Sequence, residues 1–162
     1  MQILLADGLG HGPLAADAAN RAKRVFGETR GGPLILMEAM HRALQSTRGA
    51  AVAVAEIDPA GRSVRYCGVG NIAGVIASAN DSQHMVSMNG IVGHQAMRTR
   101  EFTYRWDQNS LIVMHSDGIS GRWQLSGYPG LAGRRASVIA AVLFRDLRKT
   151  SDDATVLVGR QR

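Results

Sequence analysis

The spacing of the apolar residues changes at Gly49, and this change constrains the fold more than any other feature of the chain. Most of the chain before Gly49 repeats its apolar side chains with the helical period of about 3.6 residues. From Ala50 onward they form short runs bounded by turn residues, a pattern typical of β-strands. Helices grouped apart from a run of strands are typical of the α+β class, in which helices pack on antiparallel sheets.

Three segments are predicted to be helices: Pro13–Phe26, Pro33–Thr47 and Gly133–Arg148. The first two start with proline, which suits the first turn of a helix because its missing N–H needs no partner there. The apolar face of each helix is predicted from the helical spacing. These faces are Leu14, Ala18, Ala22 and Val25 in the first helix, Leu36, Met37, Met40 and Leu44 in the second, and Val138, Ala141, Val142 and Phe144 in the third.

The strands are predicted as follows. A first, buried strand is Gln2–Ala6, which stops at Asp7. The turn signal Asp58–Gly61 lies between Ala50–Ile57 and Ser63–Val69, so these two strands are expected to form a hairpin. A second hairpin is expected from Thr99–Trp106 and Ser110–Ser116, which are joined across Asp107–Asn109. The remaining segments are the strands Asn71–Ser78, His84–Met88 and Thr155–Val158 and a polar turn at Asn80–Gln83. We expect a single domain over residues 1–162, since 162 residues fit one domain.

The composition excludes several classes of protein. With 45% hydrophobic and 20% charged residues, the chain is not a disordered or fibrous protein. Its longest apolar stretches, such as Ala50–Ala55, fall far short of the roughly 18 residues that a membrane span needs. Met1–Ala6 has no basic region typical of a signal peptide, and Cys67 is the only cysteine, so no internal disulfide forms. We therefore expect a cytoplasmic protein without a membrane partner.

The charge balance offers a nucleic acid as one alternative partner. Lys and Arg number 19 against 13 Asp and Glu, a net charge of +6. The arginines are scattered rather than arranged in a stripe, however, and aromatic residues make up only 5% of the chain, too few for an obvious base-stacking surface. A basic nucleic-acid-binding domain stays an alternative without a supporting motif, and we expect no nucleic-acid partner.

Four of the acidic residues lie at strand ends. Asp7 and Asp117 each end a predicted strand and precede a glycine, and the Asp152–Asp153 pair directly precedes the last strand. Taken singly, each is also a common turn residue. Taken together, carboxylates beside glycines suit a site for a hard cation, and oxygen-only ligands favour Mg²⁺ or Mn²⁺ over zinc.

The glycine-rich loop Gly8–Gly12, between a strand and a helix, has a competing interpretation as a dinucleotide-binding turn. That fingerprint requires Gly-x-Gly-x-x-Gly, but Pro13 occupies the last position. The acidic residue at the required distance, Glu28, follows a helix rather than a second strand. The loop therefore does not match a nucleotide site.

Together these residues resemble the metal-dependent serine/threonine protein phosphatases, the PPM or protein phosphatase 2C family. The bacterial SpoIIE-like branch, and within it the RsbX-like stressosome phosphatases, is the most similar group. The acidic motifs Ala6–Gly12, Ser116–Ile119 and Asp152–Leu157 match in the order of the family. The loops Gly68–Ile72 and Gly90–Gly93 add support.

The resemblance implies an αββα sandwich, with two antiparallel sheets between outer helix layers and two Mg²⁺ or Mn²⁺ ions at one end. Carried over by motif, Asp7 would bridge both ions, and Gly8 would offer its carbonyl oxygen to one of them. Asp117 and Asp152 would hold the other ion. Asp153 ranks below Asp152 as a metal-binding residue, because many relatives have Asn there. The two metals would activate a water that attacks phosphorus directly.

The sequence departs from the family in two ways. Relatives have an acidic residue on a strand upstream of the first motif, whereas this chain starts six residues before Asp7. We therefore expect the chain to be truncated at its N-terminus relative to the family, without one or two edge strands and with an incomplete second metal site. Some relatives also use a histidine near the first motif as general acid. His11 is near that place but not at an equivalent spacing, so it is either the proton donor or a loop histidine bonded to backbone.

Two functions remain after this comparison of motifs. The first is a phosphatase acting on phosphoserine or phosphothreonine, with a phosphorylated STAS-domain protein of a partner-switching or stressosome pathway as the substrate that the resemblance implies. The second is a phosphatase-like domain with weak or no turnover that binds regulatory partners. The missing upstream carboxylate favours the second function, whereas the presence of Asp7 and Asp117 favours the first.

Overall fold

The computed structural model describes residues 1–78, 81–94, 97–150 and 152–161. In chain order, the elements are β1 (Gln2–Gly8), α1 (Pro13–Glu28), α2 (Pro33–Leu44), β2 (Ala50–Asp58), β3 (Ser63–Val69), β4 (Ala73–Ala77), β5 (Ser82–Met85), β6 (Ser87–Met88), β7 (Phe102–Arg105), β8 (Leu111–His115), α3 (Ala136–Leu147) and β9 (Val156–Arg160). Two short 3-10 turns, Leu125–Gly127 and Leu131–Gly133, lie between β8 and α3.

The strands form two sheets. The first sheet has the order β1-β2-β3, and the far edge of β3 pairs with both β7 and β6. The second sheet has the order β5-β4-β8-β9, with antiparallel pairing throughout. Among the described strands of the first sheet, the short β3–β6 pair is parallel and the other pairs are antiparallel. Asp58–Gly61 turns the chain between β2 and β3, so the first predicted hairpin is confirmed.

Three apolar clusters separate four layers, which confirms the αββα sandwich. One cluster lies between the two sheets and contains the buried Tyr66, Trp106 and Ile112. A second joins α1 and α2 to the outer face of the first sheet, and a third joins α3 to the outer face of the second sheet. Because β8 is covered on both faces, all five of its residues are buried. This explains the apolar run Leu111–Met114 at its start.

The helices are where the spacing predicts them, but two of the three predicted faces are wrong in part. The predicted face of α2 is confirmed, with Leu36, Met37, Met40 and Leu44 all buried. On α1 the buried residues are Ala15, Ala18 and Ala22, whereas Leu14 is 57% exposed. On α3 the buried residues are Ile139 and Leu143, whereas Val138 and Ala141 are exposed. The longest helix, α1, has 16 residues, and among the described residues no helix could cross a membrane.

Two strand predictions are wrong because the chain crosses between the sheets. The predicted hairpin of Thr99–Trp106 with Ser110–Ser116 does not form: β7 pairs with β3 in the first sheet, and β8 lies between β4 and β9 in the second. With both edges of β8 already paired, no edge is left for β7. The predicted strand His84–Met88 is also divided, since β5 belongs to the second sheet and β6 to the first. Part of the predicted turn Asn80–Gln83 lies outside the described residues, and its Ser82 and Gln83 belong to β5.

Candidate functional site

The acidic motifs meet at one end of the sandwich because of the strand directions. Asp7 lies near the end of β1, and Asp117 follows the end of β8. β9 runs antiparallel to β8, so Asp152 and Asp153, before the start of β9, lie beside Asp117. These side chains surround a cavity of about 580 Å³. Its lining consists of Asp7, Gly8, Leu9, Gly10, His11, Ala51, Asn71, Asp117, Arg148, Thr150, Asp152 and Asp153.

The structure thus brings together every residue that the sequence nominates for the site. Asp7, Gly8, His11, Asp117, Asp152 and Asp153 all line the same cavity. The roles of the six lining residues stay predictions, since geometry alone assigns none of them.

Gly8 sits where the backbone of β1 contacts α1. A Cβ at this position would lie 2.0 Å from the carbonyl oxygen of Ala15, so no side chain fits. The next residue is tied down as well, because the N–H of Leu9 donates to the carbonyl of Gly49 at 3.0 Å. Close packing therefore explains the glycine after Asp7 and fixes the direction in which the loop to His11 leaves the sheet.

Gly118 has the same role on the other side of the cavity. A Cβ there would lie 2.0 Å from the carbonyl oxygen of Asp153. Ser116 joins the same two segments, since its N–H donates to the carbonyl of Thr155 at 3.2 Å and its Oγ accepts from the N–H of Thr155 at 3.0 Å. Glycine and serine thus let the Asp152–Asp153 segment pack directly against the end of β8.

Asp117 is held by two residues that the sequence analysis missed as site residues. The Asn71 amide, in the connection from β3 to β4, donates a hydrogen bond to Oδ2 of Asp117. Lys149 Nζ donates to the backbone carbonyl of Asp117 at 2.7 Å. Asn71 belongs to the Gly68–Ile72 loop that contributes to the family resemblance, but it is 46 residues from Asp117, so its contact is not visible in the sequence.

The carboxylates repel one another across the cavity. The pKa of Asp7 is raised, first by burial and then by the negative charges of Asp117, Asp152 and Asp153. Burial disfavours the ionised carboxylate, and nearby like charges disfavour it further. A cation placed among these groups would relieve both effects, so the cavity is electrostatically suited to a positive ligand.

The donor chemistry of the cavity fits a divalent cation. Its candidate ligands are carboxylate oxygens and the carbonyl of Gly8, the oxygen-only set that Mg²⁺ and Mn²⁺ prefer. The arrangement is nevertheless open: among the described residues no three His, Cys, Asp or Glu side chains form a ready group for one ion.

The two histidines nearest the acidic motifs differ in their environment. His11 is exposed and lines the cavity. His115 is 3% exposed, and its Nδ1 donates to the carbonyl of Ser116 at 2.9 Å. Burial lowers the pKa of His115, and the residue does not line the cavity. Of these two, only His11 is placed to meet a ligand there.

Comparisons with known proteins bear on the family and the fold of the chain. The family model for stage II sporulation protein E (SpoIIE) matches residues 1–162. The phosphoserine phosphatase RsbX of Bacillus subtilis (strain 168) is 25% identical over 118 residues, which cover 72% of this chain. The matched part spans 59% of RsbX, less than two thirds of that protein.

Solved structures share the fold over nearly the whole chain. One comes from work on the bacterial stressosome as a modular system adapted to control secondary messenger signaling. It has a TM-score of 0.86 at 29% identity and covers 98% of this chain and 84% of its own. The structure of RsbX in complex with magnesium has a TM-score of 0.78 at 22% identity. The match covers 97% of this chain and 79% of the RsbX chain. Since the family model matches the whole sequence and the fold agrees, this chain belongs to the SpoIIE family.

Proposed function

We propose that the chain is a Mn²⁺- or Mg²⁺-dependent phosphatase that hydrolyses phosphoserine or phosphothreonine on a signalling protein. The main support is the convergence of Asp7, Asp117, Asp152 and Asp153 on one cavity of a SpoIIE-family fold. RsbX, which aligns with 72% of this chain, is itself a phosphoserine phosphatase. A cavity lined with carboxylates suits metal-assisted hydrolysis of a phosphate ester.

The proposed ligands are Asp7 with the carbonyl of Gly8 for one ion and Asp7, Asp117 and Asp152 for the other, with Asp153 in support. Divalent cations bound there would lower the pKa of a water and neutralise the phosphoryl oxygens. The chain itself supplies the framework: Gly8 and Gly118 bring backbone segments into contact, and Asn71 orients Asp117. We propose two ions, the number that the family resemblance implies.

His11 is the proposed proton donor to the serine oxygen that leaves. It is exposed, lines the cavity and lies on the loop between β1 and α1. Histidine is the most frequent general acid near neutral pH. A His11→Gln variant is therefore expected to lose activity towards a phosphoserine peptide more than towards p-nitrophenyl phosphate, because nitrophenolate leaves without needing a proton.

The proposed substrate is a phosphorylated STAS-type protein of a stressosome or partner-switching pathway in the cytoplasm. The support is similarity: RsbX is a phosphoserine phosphatase, and a chain from work on the bacterial stressosome matches 98% of this one at 29% identity. The net charge of +6 would favour encounter with an acidic phosphoprotein.

A regulatory binding module with weak or no turnover is the second candidate. It would share the fold and the carboxylate cavity but would hydrolyse the ester slowly or not at all. The two candidates differ in a property that can be measured directly. The phosphatase hydrolyses a phosphate ester in a way that depends on metal and on the motif carboxylates, whereas the binding module shows weak or no hydrolysis.

The test is hydrolysis of p-nitrophenyl phosphate by this chain with Mn²⁺, with chelator and in the Asp117→Asn variant. We expect Mn²⁺-dependent turnover that chelator abolishes and that falls by at least about 100-fold in the variant, since the substitution removes a charged ligand. Asp81→Asn removes the same charge beyond the end of β4 that lies away from Asp117, and is the matched control. Absence of turnover in the folded, Mn²⁺-loaded protein would favour the binding module.

A further inference from the structure

The carboxylate cavity also has a positively charged wall. Arg148 lines it together with Asp7, Asp117 and Asp152. Arg148 directly follows α3 as its C-cap residue, and its guanidinium carbon lies 5.4 Å from the centre of the Phe144 ring. A guanidinium over an aromatic face is attracted to it. The ring of Phe144 therefore supports the guanidinium at the edge of the cavity.

The backbone around Arg148 is fixed to the loop that follows Asp117. The N–H of Ser120 donates to the carbonyl of Leu147 at 2.9 Å, and the N–H of Lys149 donates to the carbonyl of Gly118 at 2.8 Å. Ile119 and Arg148 form an antiparallel bridge between these two bonds. The backbone of Arg148 is thus fixed beside the Gly118–Ser120 segment, so its side chain starts from a defined position at the edge of the cavity.

The two basic residues of this segment have different partners. Lys149 Nζ donates to the backbone carbonyl of Asp117 at 2.7 Å, so its ammonium is already engaged in the framework of the site. The guanidinium of Arg148 has no such contact: among the described residues, no carboxylate lies within ion-pair distance of it, although four aspartates line the same cavity. Its donors are therefore available to an incoming anion.

The neighbouring Arg145 shows what a structural arginine looks like on the same helix. Its Nε lies 2.6 Å from Oδ1 of Asp146, and its side chain lies away from the carboxylate cavity, among the residues of a separate surface groove on α3. The contrast between Arg145, which is paired, and Arg148, which faces the site without a carboxylate partner, points to a ligand for Arg148.

We propose that Arg148 binds the non-bridging oxygens of the substrate phosphoryl group and, after hydrolysis, of inorganic phosphate. This inference rests on the proposed function, since it requires a phosphate monoester in the cavity. Arginine presents a planar fork of donors that matches two phosphate oxygens at once. A phosphate dianion entering beside four aspartates needs positive charge on the protein side as well as from bound cations, and Arg148 is placed to provide it.

The test compares Arg148→Met with the matched control Arg145→Met, which removes the same charge from the same helix end. The Kd of inorganic phosphate is measured by titration calorimetry on the full chain in the presence of Mn²⁺. We expect Arg148→Met to weaken phosphate binding by about 10- to 100-fold, as for loss of a charge-assisted hydrogen-bonded pair. Arg145→Met is expected to bind phosphate like the unmodified chain, and Arg148→Lys to give an intermediate Kd.

Further measurements distinguish phosphate binding by Arg148 from a purely structural role. The Kd of Mn²⁺ and the melting temperature of Arg148→Met are expected to stay near those of the unmodified chain. Its KM for p-nitrophenyl phosphate is expected to rise in parallel with the Kd of phosphate. Equal phosphate affinity in Arg148→Met and the unmodified chain would overturn the inference, as would a chain that binds no phosphate with Mn²⁺ present.

The outcomes also distinguish this inference from the proposed function. If the chain hydrolyses p-nitrophenyl phosphate and Arg148→Met changes neither KM nor phosphate affinity, the phosphatase stands and the role of Arg148 is wrong. If the chain binds phosphate through Arg148 without hydrolysing any ester, the role of Arg148 stands and the phosphatase proposal fails.

Discussion

Gly118 and Asp153 are in backbone contact, and this contact sets the geometry of the candidate site at the scale of single residues. A Cβ on Gly118 would lie 2.0 Å from the carbonyl oxygen of Asp153, a separation that no real Cβ contact reaches. Relief would require backbone to move, because the neighbouring atom is not the end of a flexible side chain. The position of the Asp152–Asp153 segment beside Asp117 therefore depends on the absence of a side chain at position 118.

We expect Gly118→Ala to push the Asp152–Asp153 segment away from β8. The free energy of unfolding should fall by about 1–3 kcal/mol, as for overpacking elsewhere in proteins, and Mn²⁺ affinity should fall with it. Gly121→Ala is the control, since its Cβ would meet nothing within 4 Å. Urea unfolding and Mn²⁺ titration measure both effects. A Gly118→Ala chain as stable as Gly121→Ala would contradict the packing argument.

Asn71 acts on the site through Asp117, to whose Oδ2 its amide donates. Groups that orient a metal ligand typically affect metal affinity or activity by about 10- to 100-fold. We expect Asn71→Ala to lower the Mn²⁺ affinity within that range while leaving the melting temperature nearly unchanged. Asn109→Ala, on the exposed turn before β8, is the control. If the two variants bind Mn²⁺ equally, Asn71 does not position Asp117.

The residues of the site could be predicted from the sequence only where they belong to local motifs. A predicted strand and a glycine flank both Asp7 and Asp117, and the last predicted strand follows the Asp152–Asp153 pair. The contacts of Asn71 and Lys149 with Asp117 join residues 46 and 32 positions apart. No local pattern encodes such distances, because they follow from how the two sheets stack.

At the scale of elements, the existence of helices and strands followed from periodicity, but their partners did not. β7 and β8 are joined by a short turn, which predicts a hairpin. In the structure β4 and β9 pair with both edges of β8, so β7 pairs with β3 in the other sheet. A short connection that crosses between stacked sheets has the same local sequence as a hairpin turn, so sequence alone does not distinguish them.

The buried face of α3 shows the same limit and can be tested directly. Leu143 is 0% exposed and packs in the cluster that joins α3 to the second sheet, whereas Val138, which the spacing placed on the apolar face, is 44% exposed. We expect Leu143→Ala to lower the free energy of unfolding by about 2–5 kcal/mol, the usual range for a buried leucine. Val138→Ala should change it by no more than about 0.5 kcal/mol. Urea unfolding of both variants measures the two losses, and equal losses would contradict the burial of Leu143 and the exposure of Val138.

At the scale of the whole molecule, the two sheets share one apolar cluster. Tyr66 and Val64 of β3 meet Ile112 and Met114 of β8 in the layer between the sheets. Each sheet also has a helix layer on its outer face. Neither sheet could therefore unfold without exposing apolar surface of the other, and we expect the described layers to behave as one cooperative unit.

The two tryptophans test this expectation, because they report on different layers. Trp106 is 1% exposed in the cluster between the sheets, and Trp123 packs on the cluster beneath α3. In Trp123→Phe, fluorescence reports on Trp106 and the inter-sheet layer, and in Trp106→Phe it reports on Trp123 and the outer layer. Urea unfolding of each variant is followed both by fluorescence and by far-UV circular dichroism. If the chain is a single domain, the two transitions of each variant coincide. A fluorescence transition of Trp123 that precedes loss of secondary structure would instead mean that the α3 layer unfolds separately from the sandwich.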